Sequence, residues 1–117
     1  MRRRLILTLA ALAALTALVV TNVVQAAPSA RKRLSGFDGP GFVIGMSKRA
    51  VAHGQFRITI NDRSGIHNFH LTGPGVNKRT SVSGTGTTTW NLTLRAGTYR
   101  FVCDPHRTSM KGTLRVT

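Results

Sequence analysis

The stretch Cys103-Asp104-Pro105-His106-Arg107-Thr108-Ser109-Met110 decides the reading of this chain. It holds the only cysteine, a histidine three residues later and a methionine four residues after that. Thiolate, imidazole and thioether are soft or borderline donors, a set that suits copper better than magnesium or calcium. Gly97 to Cys103 reads as a strand ahead of this loop, and Lys111 to Val116 as another behind it. The donors therefore stand at the end of one strand, in a tight loop and at the start of the next. A loop this short can aim all three side chains at one point.

A second histidine from elsewhere would complete a two-histidine, one-cysteine site with a weak axial methionine. The stretch Asp62-Arg63-Ser64-Gly65-Ile66-His67-Asn68-Phe69-His70-Leu71 offers two. In an extended strand, positions 67, 69 and 71 share one face, and 68 and 70 share the other. His67 follows the turn Arg63-Ser64-Gly65 directly, at a loop–strand junction like that of Cys103, and is the expected ligand. His70 lies farther in, on the opposite face, and reads as a half-exposed polar strand residue.

The chain has 117 residues, enough for one small domain. Residues 1–26 have the form of a secretory signal peptide. Arg2-Arg3-Arg4 is followed by an apolar run from Leu5 to Val20 and by the small-residue pattern Val24-Gln25-Ala26. The adjacent arginines hint only weakly at twin-arginine export, because the residues around them fit that pattern poorly. The alternative is an uncleaved amino-terminal membrane anchor, since Leu5 to Val24 could just make the roughly 20 residues that a span needs. Cleavage is the expectation. It places the domain in the periplasm, cell envelope or extracellular space, where a lone cysteine has no internal disulfide partner and metal binding would protect it.

The formal charge is +14, from 17 Lys and Arg against 3 acidic residues, and losing Arg2, Arg3 and Arg4 leaves +11. Nucleic acid is not implied, because no recognition helix, zinc-finger spacing or arginine block beyond Arg31-Lys32-Arg33, which reads as a disordered arm, accompanies the charge. Arg57, Arg100 and Arg115 each sit between apolar neighbours, which makes the charge a solvated strand surface. Such a surface steers towards acidic partners in a salt-sensitive way.

Residues 27–38 read as a flexible linker, with no periodicity. From Gly39 the pattern changes. Phe42, Ile44 and Met46 alternate, and then Phe56, Ile58 and Ile60 do. Trp90, Leu92 and Leu94 follow on one face, as do Tyr99, Phe101 and Cys103, and Leu114 and Val116 close the series. Of these, Phe42, Phe56, Ile58, Ile60, Trp90, Leu92, Leu94, Tyr99, Phe101, Leu114 and Val116 are the expected core. Ser47 to His53 reads as a hairpin-like connection and Val76 to Ser83 as an irregular one. No helical period follows the amino-terminal segment. Short alternating strands between Gly and Pro turns indicate an all-β sandwich or barrel over residues 39–117. Gly54-Gln55-Phe56-Arg57 and Gly97-Thr98-Tyr99-Arg100 read alike, and each opens a strand that runs to a histidine-bearing loop. Both strands would then deliver ligands to one end of the sandwich.

His67-Asn68-Phe69, the Cys103-to-His106 loop and Met110-Lys111-Gly112 together resemble the blue copper proteins of the plastocyanin and pseudoazurin type, the cupredoxins. The likeness spans about Gly39 to Thr117. It implies a Greek-key β-sandwich of some eight strands, one type 1 copper ion and one-electron transfer by a monomeric carrier, not an enzyme. The family's ligands carry over to His67, Cys103, His106 and Met110. Asn68 is a candidate to tie the His67 loop to the Cys103 loop, and Phe69 and Phe101 are candidates to keep water out.

The loop from His106 to Met110 differs by one residue from that of some family members. The acidic patches of plant members are missing, so a redox partner with an acidic docking surface is expected instead. The alternative function is an exported copper chaperone or copper-sequestering protein, which usually favours methionine- or histidine-rich runs that this chain lacks. A third reading is an adhesive or structural sandwich without metal. Related oxidases and nitrite reductases need further copper sites, and no other histidine cluster stands in the sequence.

Overall fold

The computed structural model describes residues 18–117. The proposed signal segment falls largely outside them. Residues 18–31 are exposed and take no regular secondary structure. No helix among the described residues is long and apolar enough to cross a membrane.

Nine strands follow: β1 (Lys32–Asp38), β2 (Ile44–Met46), β3 (Ala50–Val51), β4 (Gly54–Asp62), β5 (His70–Gly73), β6 (Val76–Arg79), β7 (Gly86–Leu94), β8 (Gly97–Val102) and β9 (Lys111–Val116). They form two sheets with the orders β2-β1-β4-β7 and β3-β9-β8-β5-β6. Both sheets are mixed, because β1 runs parallel to β4 and β3 parallel to β9. The one helical element among the described residues is a 3-10 turn at Asp104–His106. The expected all-β sandwich is thus present.

The alternation read from the sequence builds the core. Phe56, Ile58, Ile60, Trp90, Leu94, Tyr99, Phe101, Leu114 and Val116 are all buried between the sheets, and Leu92 packs against them partly buried. At roughly 1.5–3 kcal/mol for each large apolar side chain fully buried, this layer supplies the main drive for folding. The Tyr99 hydroxyl donates to the Arg95 carbonyl at 2.9 Å, with the Pro74 carbonyl 3.2 Å away as the other acceptor in reach, so the burial of Tyr99 leaves its hydroxyl paired. Gly54 and Gly97 open β4 and β8 with φ of 143° and 146°, values that favour glycine. From these starts both strands run to the same end of the molecule, as their resemblance suggested.

Three expectations need correction. Residues 32–38 are not linker. They form β1, which pairs with all of β4 from Phe56 to Asp62 and buries Leu34. Phe42 is not core: it lies 61% exposed in the turn before β2. Gly39 and Gly41, with φ of 59° and 79°, bend that turn out of the sheet. The connections expected at 47–53 and 76–83 contain the short strands β3 and β6.

Candidate metal centre

The sandwich brings the ends of β1, β4 and β8 together. β4 ends at Asp62, whose Oδ1 accepts the Ser64 amide at 3.2 Å. The Ser64 carbonyl in turn accepts the His67 amide at 3.2 Å, which fixes a compact turn ahead of the imidazole. His67 is 1% exposed.

The second loop closes on itself. The Cys103 amide donates to the Met110 carbonyl (3.0 Å), the His106 amide to the Cys103 carbonyl (3.0 Å) and the Met110 amide to the His106 carbonyl (2.8 Å). Pro105 occupies the first turn, where a missing N–H costs nothing. This ring of bonds holds the Cys103 and Met110 backbones together, and both residues are fully buried.

Three donor atoms converge. The Nδ1 atoms of His67 and His106 are 3.0 Å apart, and the Cys103 sulfur is 3.7 Å from the first and 3.5 Å from the second. A point equidistant from all three lies about 2 Å from each, close to a metal–imidazole bond and a little inside a metal–thiolate one. Two imidazole nitrogens face each other here, and at most one bond between them can be a hydrogen bond for a given pair of tautomers. A cation that accepts both lone pairs and the thiolate removes that conflict. The soft donor set, with buried Met110 beside it, fits copper. His67, Cys103, His106 and Met110 form a type 1 copper site, as the sequence indicated.

The surroundings hold these side chains in place. Asn68 Oδ1 accepts the Asp104 amide at 2.7 Å, and Asn68 Nδ2 donates to Asp104 Oδ2 at 2.8 Å and to the Thr80 carbonyl at 3.2 Å. The residue after one ligand is thereby bonded to the residue after another, the tie expected of Asn68. Thr80 Oγ1 accepts the Phe69 amide at 2.9 Å and donates to Asp62 Oδ2 at 3.3 Å. Phe69 and Phe101 stack 5.5 Å apart and are both fully buried, and they belong to the core as much as to the site.

His70 does not join the donor cluster. Its Nδ1 lies 2.8 Å from Asp104 Oδ1 and its Nε2 lies 2.7 Å from Asn77 Oδ1. Asp104 thus takes contacts from His70, Asn68 and Arg107. Burial opposes its ionisation, but the hydrogen bonds from His70 and Asn68 and the charges of His70 and Arg107 prevail, holding its pKa below the ordinary carboxylate value. Sequence reasoning missed this role. The signal was there: Asp104 is one of 3 acidic residues in a strongly basic chain, and it follows the cysteine directly.

The other two acids form a buried pair. Asp38 and Asp62 are partners at the last rung of the β1–β4 ladder, 0% and 4% exposed. Burial, and then the neighbouring Asp62 carboxylate, push the Asp38 carboxyl up to about 7. Both Asp38 carboxyl oxygens are buried without a hydrogen-bond partner, so the protonated form spares the core a second bare charge beside Asp62.

His106 is the partly exposed ligand. Phe42 stands edge-on to both imidazoles, its ring centroid 5.4 Å from that of His67 and 4.9 Å from that of His106. Phe42, Val43 and Ile66, at 61%, 50% and 59% exposure, put apolar surface at this end of the molecule.

The comparisons with known proteins agree with this site. Residues 38–117 match the family model described as copper binding proteins, plastocyanin/azurin family. The fold is similar to that of reduced rusticyanin, with a TM-score of 0.59, 22% identity and coverage of 77% of this chain and 82% of that one. Rusticyanin from Thiobacillus ferrooxidans gives a TM-score of 0.57 at 22% identity, over 76% of this chain and 79% of that one. No curated protein sequence matches the chain significantly. The family match, spanning the whole metal centre and most of the sandwich, shows that this chain belongs to the plastocyanin/azurin family of copper-binding proteins, the cupredoxins.

Proposed function

We propose that the protein carries single electrons between partner proteins outside the cytoplasm. The observation that carries this reading is the convergence of three donors in a hydrogen-bonded cage from which one ligand alone reaches the surface. Copper held by His67, Cys103, His106 and Met110 would supply a one-electron couple. Everything else falls to the chain. The Cys103 thiolate would provide the strongest electronic link to the ion, and the Met110 thioether would be a fourth, weaker donor. His67 is locked from behind by its turn, and Asn68 holds the two ligand loops at a fixed spacing. A site held this firmly changes little between charge states, which favours fast transfer. His106, partly exposed and edged by Phe42, offers the short route to a partner. Apolar Phe42, Val43 and Ile66 make a rim that a partner can dry. The basic surface favours a partner with acidic groups at its docking face.

The reading is of a carrier and not an enzyme, and it rests on the one-electron couple that this donor set would support. Export is supported by the form of residues 1–26. Voltammetry of the copper-loaded protein tests the role. A fast, reversible one-electron couple is expected. A sluggish or irreversible couple with tight copper binding would assign the chain to copper handling instead.

A further inference from the structure

Beside the metal centre the outer faces of the two sheets differ in charge. On the sheet β3-β9-β8-β5-β6, Arg79, His70, Val102 and Lys111 form one row across β6, β5, β8 and β9. This row borders the ligand loop, since Val102 precedes Cys103 and Lys111 follows Met110. Two positions back, Asn77, Thr72, Arg100 and Thr113 form the next row on the same face. Leu71, Phe101 and Leu114 lie between these positions and are buried, so both rows face outward. Arg107, which follows His106, lines two grooves at this face. One, of about 460 Å³, also holds Arg79, Thr80 and Ser81. The other, of about 390 Å³, also holds His70, Thr72 and Arg100.

On the sheet β2-β1-β4-β7 the corresponding rows are neutral. Phe37, Asn61 and Thr87 form the outward row nearest the metal centre, and Ser35, Thr59 and Thr89 the next. Arg33 and Arg57 come only in the third. Arg63 is the cation near the first row, its guanidinium 4.9 Å from the centroid of the Phe37 ring. Nothing in the chain neutralises the basic face. Asp38 and Asp62 are buried, and Asp104 already takes contacts from His70, Asn68 and Arg107. Arg79, Arg100 and Lys111 are exposed and form no ion pair among the described residues.

We propose that this face receives the acidic surface of an electron-transfer protein, whose carboxylates enter the grooves on either side of Arg107 while its redox group comes up to His106. The proposal rests on the carrier reading above and adds the side from which the partner approaches. Guanidinium forks match carboxylate oxygens with paired hydrogen bonds. Two separate grooves suit separate acidic side chains, where a polymer would need a continuous track. Arg107 joins the face to His106, and Phe42 stands against that imidazole, so one partner can meet apolar and basic surface together. Interfaces of this build have a dry centre and a charged rim that sets approach and register.

The probes are cytochrome c and its succinylated form, which share one haem but present lysines in the first case and carboxylates in the second. Stopped-flow mixing with the copper-loaded protein at low salt should show faster electron exchange with the succinylated form, and added salt should remove the advantage. Arg79→Gln/Lys111→Gln should slow that exchange about tenfold. Arg33→Gln/Arg57→Gln, which removes the same charge from the other sheet, should stay within about twofold. An unchanged copper absorption band in each variant shows that it has folded. Amide NMR shifts of the reduced protein on adding succinylated cytochrome c should fall on β5, β6, β8 and the ligand loop. Shifts there without electron exchange would leave the docking face standing and remove the carrier reading. Equal slowing in the two double variants, or shifts centred on β1 and β4, would overturn the proposal. Retention on heparin without any shift from the succinylated protein would also overturn it, assigning the face to a polyanionic polymer.

Discussion

Asn68 grips Asp104 from two sides: its amide oxygen accepts the Asp104 N–H at 2.7 Å while its amide nitrogen donates to the Asp104 carboxylate at 2.8 Å. These residues are 36 positions apart, yet each directly follows a copper ligand. The pair therefore sets the spacing between the two ligand loops. Asn68→Ala leaves the Asp104 amide without its partner and frees the loops. Unfolding in urea should show a loss of about 1–3 kcal/mol, the usual consequence of breaking a buried hydrogen-bond pair. Copper affinity, measured by competition with a chelator, should fall about tenfold to a hundredfold.

Asp38 gives the fold an unusual pH response. Its carboxyl is pushed up to about 7 by burial and by Asp62, against 3.8 for a free aspartate. Below 3.8 folded and unfolded chains both hold the proton, and the group has no effect on stability. Between 3.8 and about 7 the folded chain holds a proton that the unfolded chain has lost, so stability falls as pH rises. Above about 7 the penalty is complete. Asp38→Asn keeps the shape of the side chain and removes the ionisation. The variant should match the parent near pH 4 and exceed it at pH 8 by on the order of a few kcal/mol. Denaturant curves at the two pH values check this. A variant advantage that does not grow with pH would contradict it.

Phe42 and Phe56 are the same residue type in opposite settings, at 61% and 1% exposure. Phe56→Ala should cost about 3–5 kcal/mol. Phe42→Ala should cost under about 1 kcal/mol, since exposed side chains contribute little. Its effect belongs at the imidazole edges, where the electron self-exchange rate measured by NMR line broadening should change while urea stability does not.

The difference between these two phenylalanines also shows what could be read in the sequence. Tyr99, Phe101 and Cys103 alternate cleanly between Gly97 and the ligand loop, so β8, the loop and β9 were legible, and with them the metal ligands. Phe42, Ile44 and Met46 alternate just as cleanly. There the backbone turns at Gly39 and Gly41 and sends Phe42 to the histidines rather than to the core. β1 was hidden for a different reason. Lys32, Arg33, Ser35 and Gly36 are poor strand signals, and Gly36 is there for space: a Cβ would come within 2.8 Å of Ile60 and 2.9 Å of Phe69. The acid pair depends on the register of β1 on β4, a long-range pairing that no local pattern records.

His70 separates ligand from support. Its two ring nitrogens are occupied by Asp104 and Asn77, away from the donor triangle. His70→Ala should keep the visible copper band and shift its midpoint of thermal unfolding downward, because Asp104 loses a partner.

The central claim is tested most directly by adding Cu(II) to the protein and recording the visible spectrum of the parent beside Cys103→Ser, His67→Ala and His70→Ala. The account predicts an intense thiolate-to-copper band in the parent and in His70→Ala, and its loss in the other two. A parent that stays colourless or pale, or a band that vanishes in His70→Ala while surviving in His67→Ala, would contradict it.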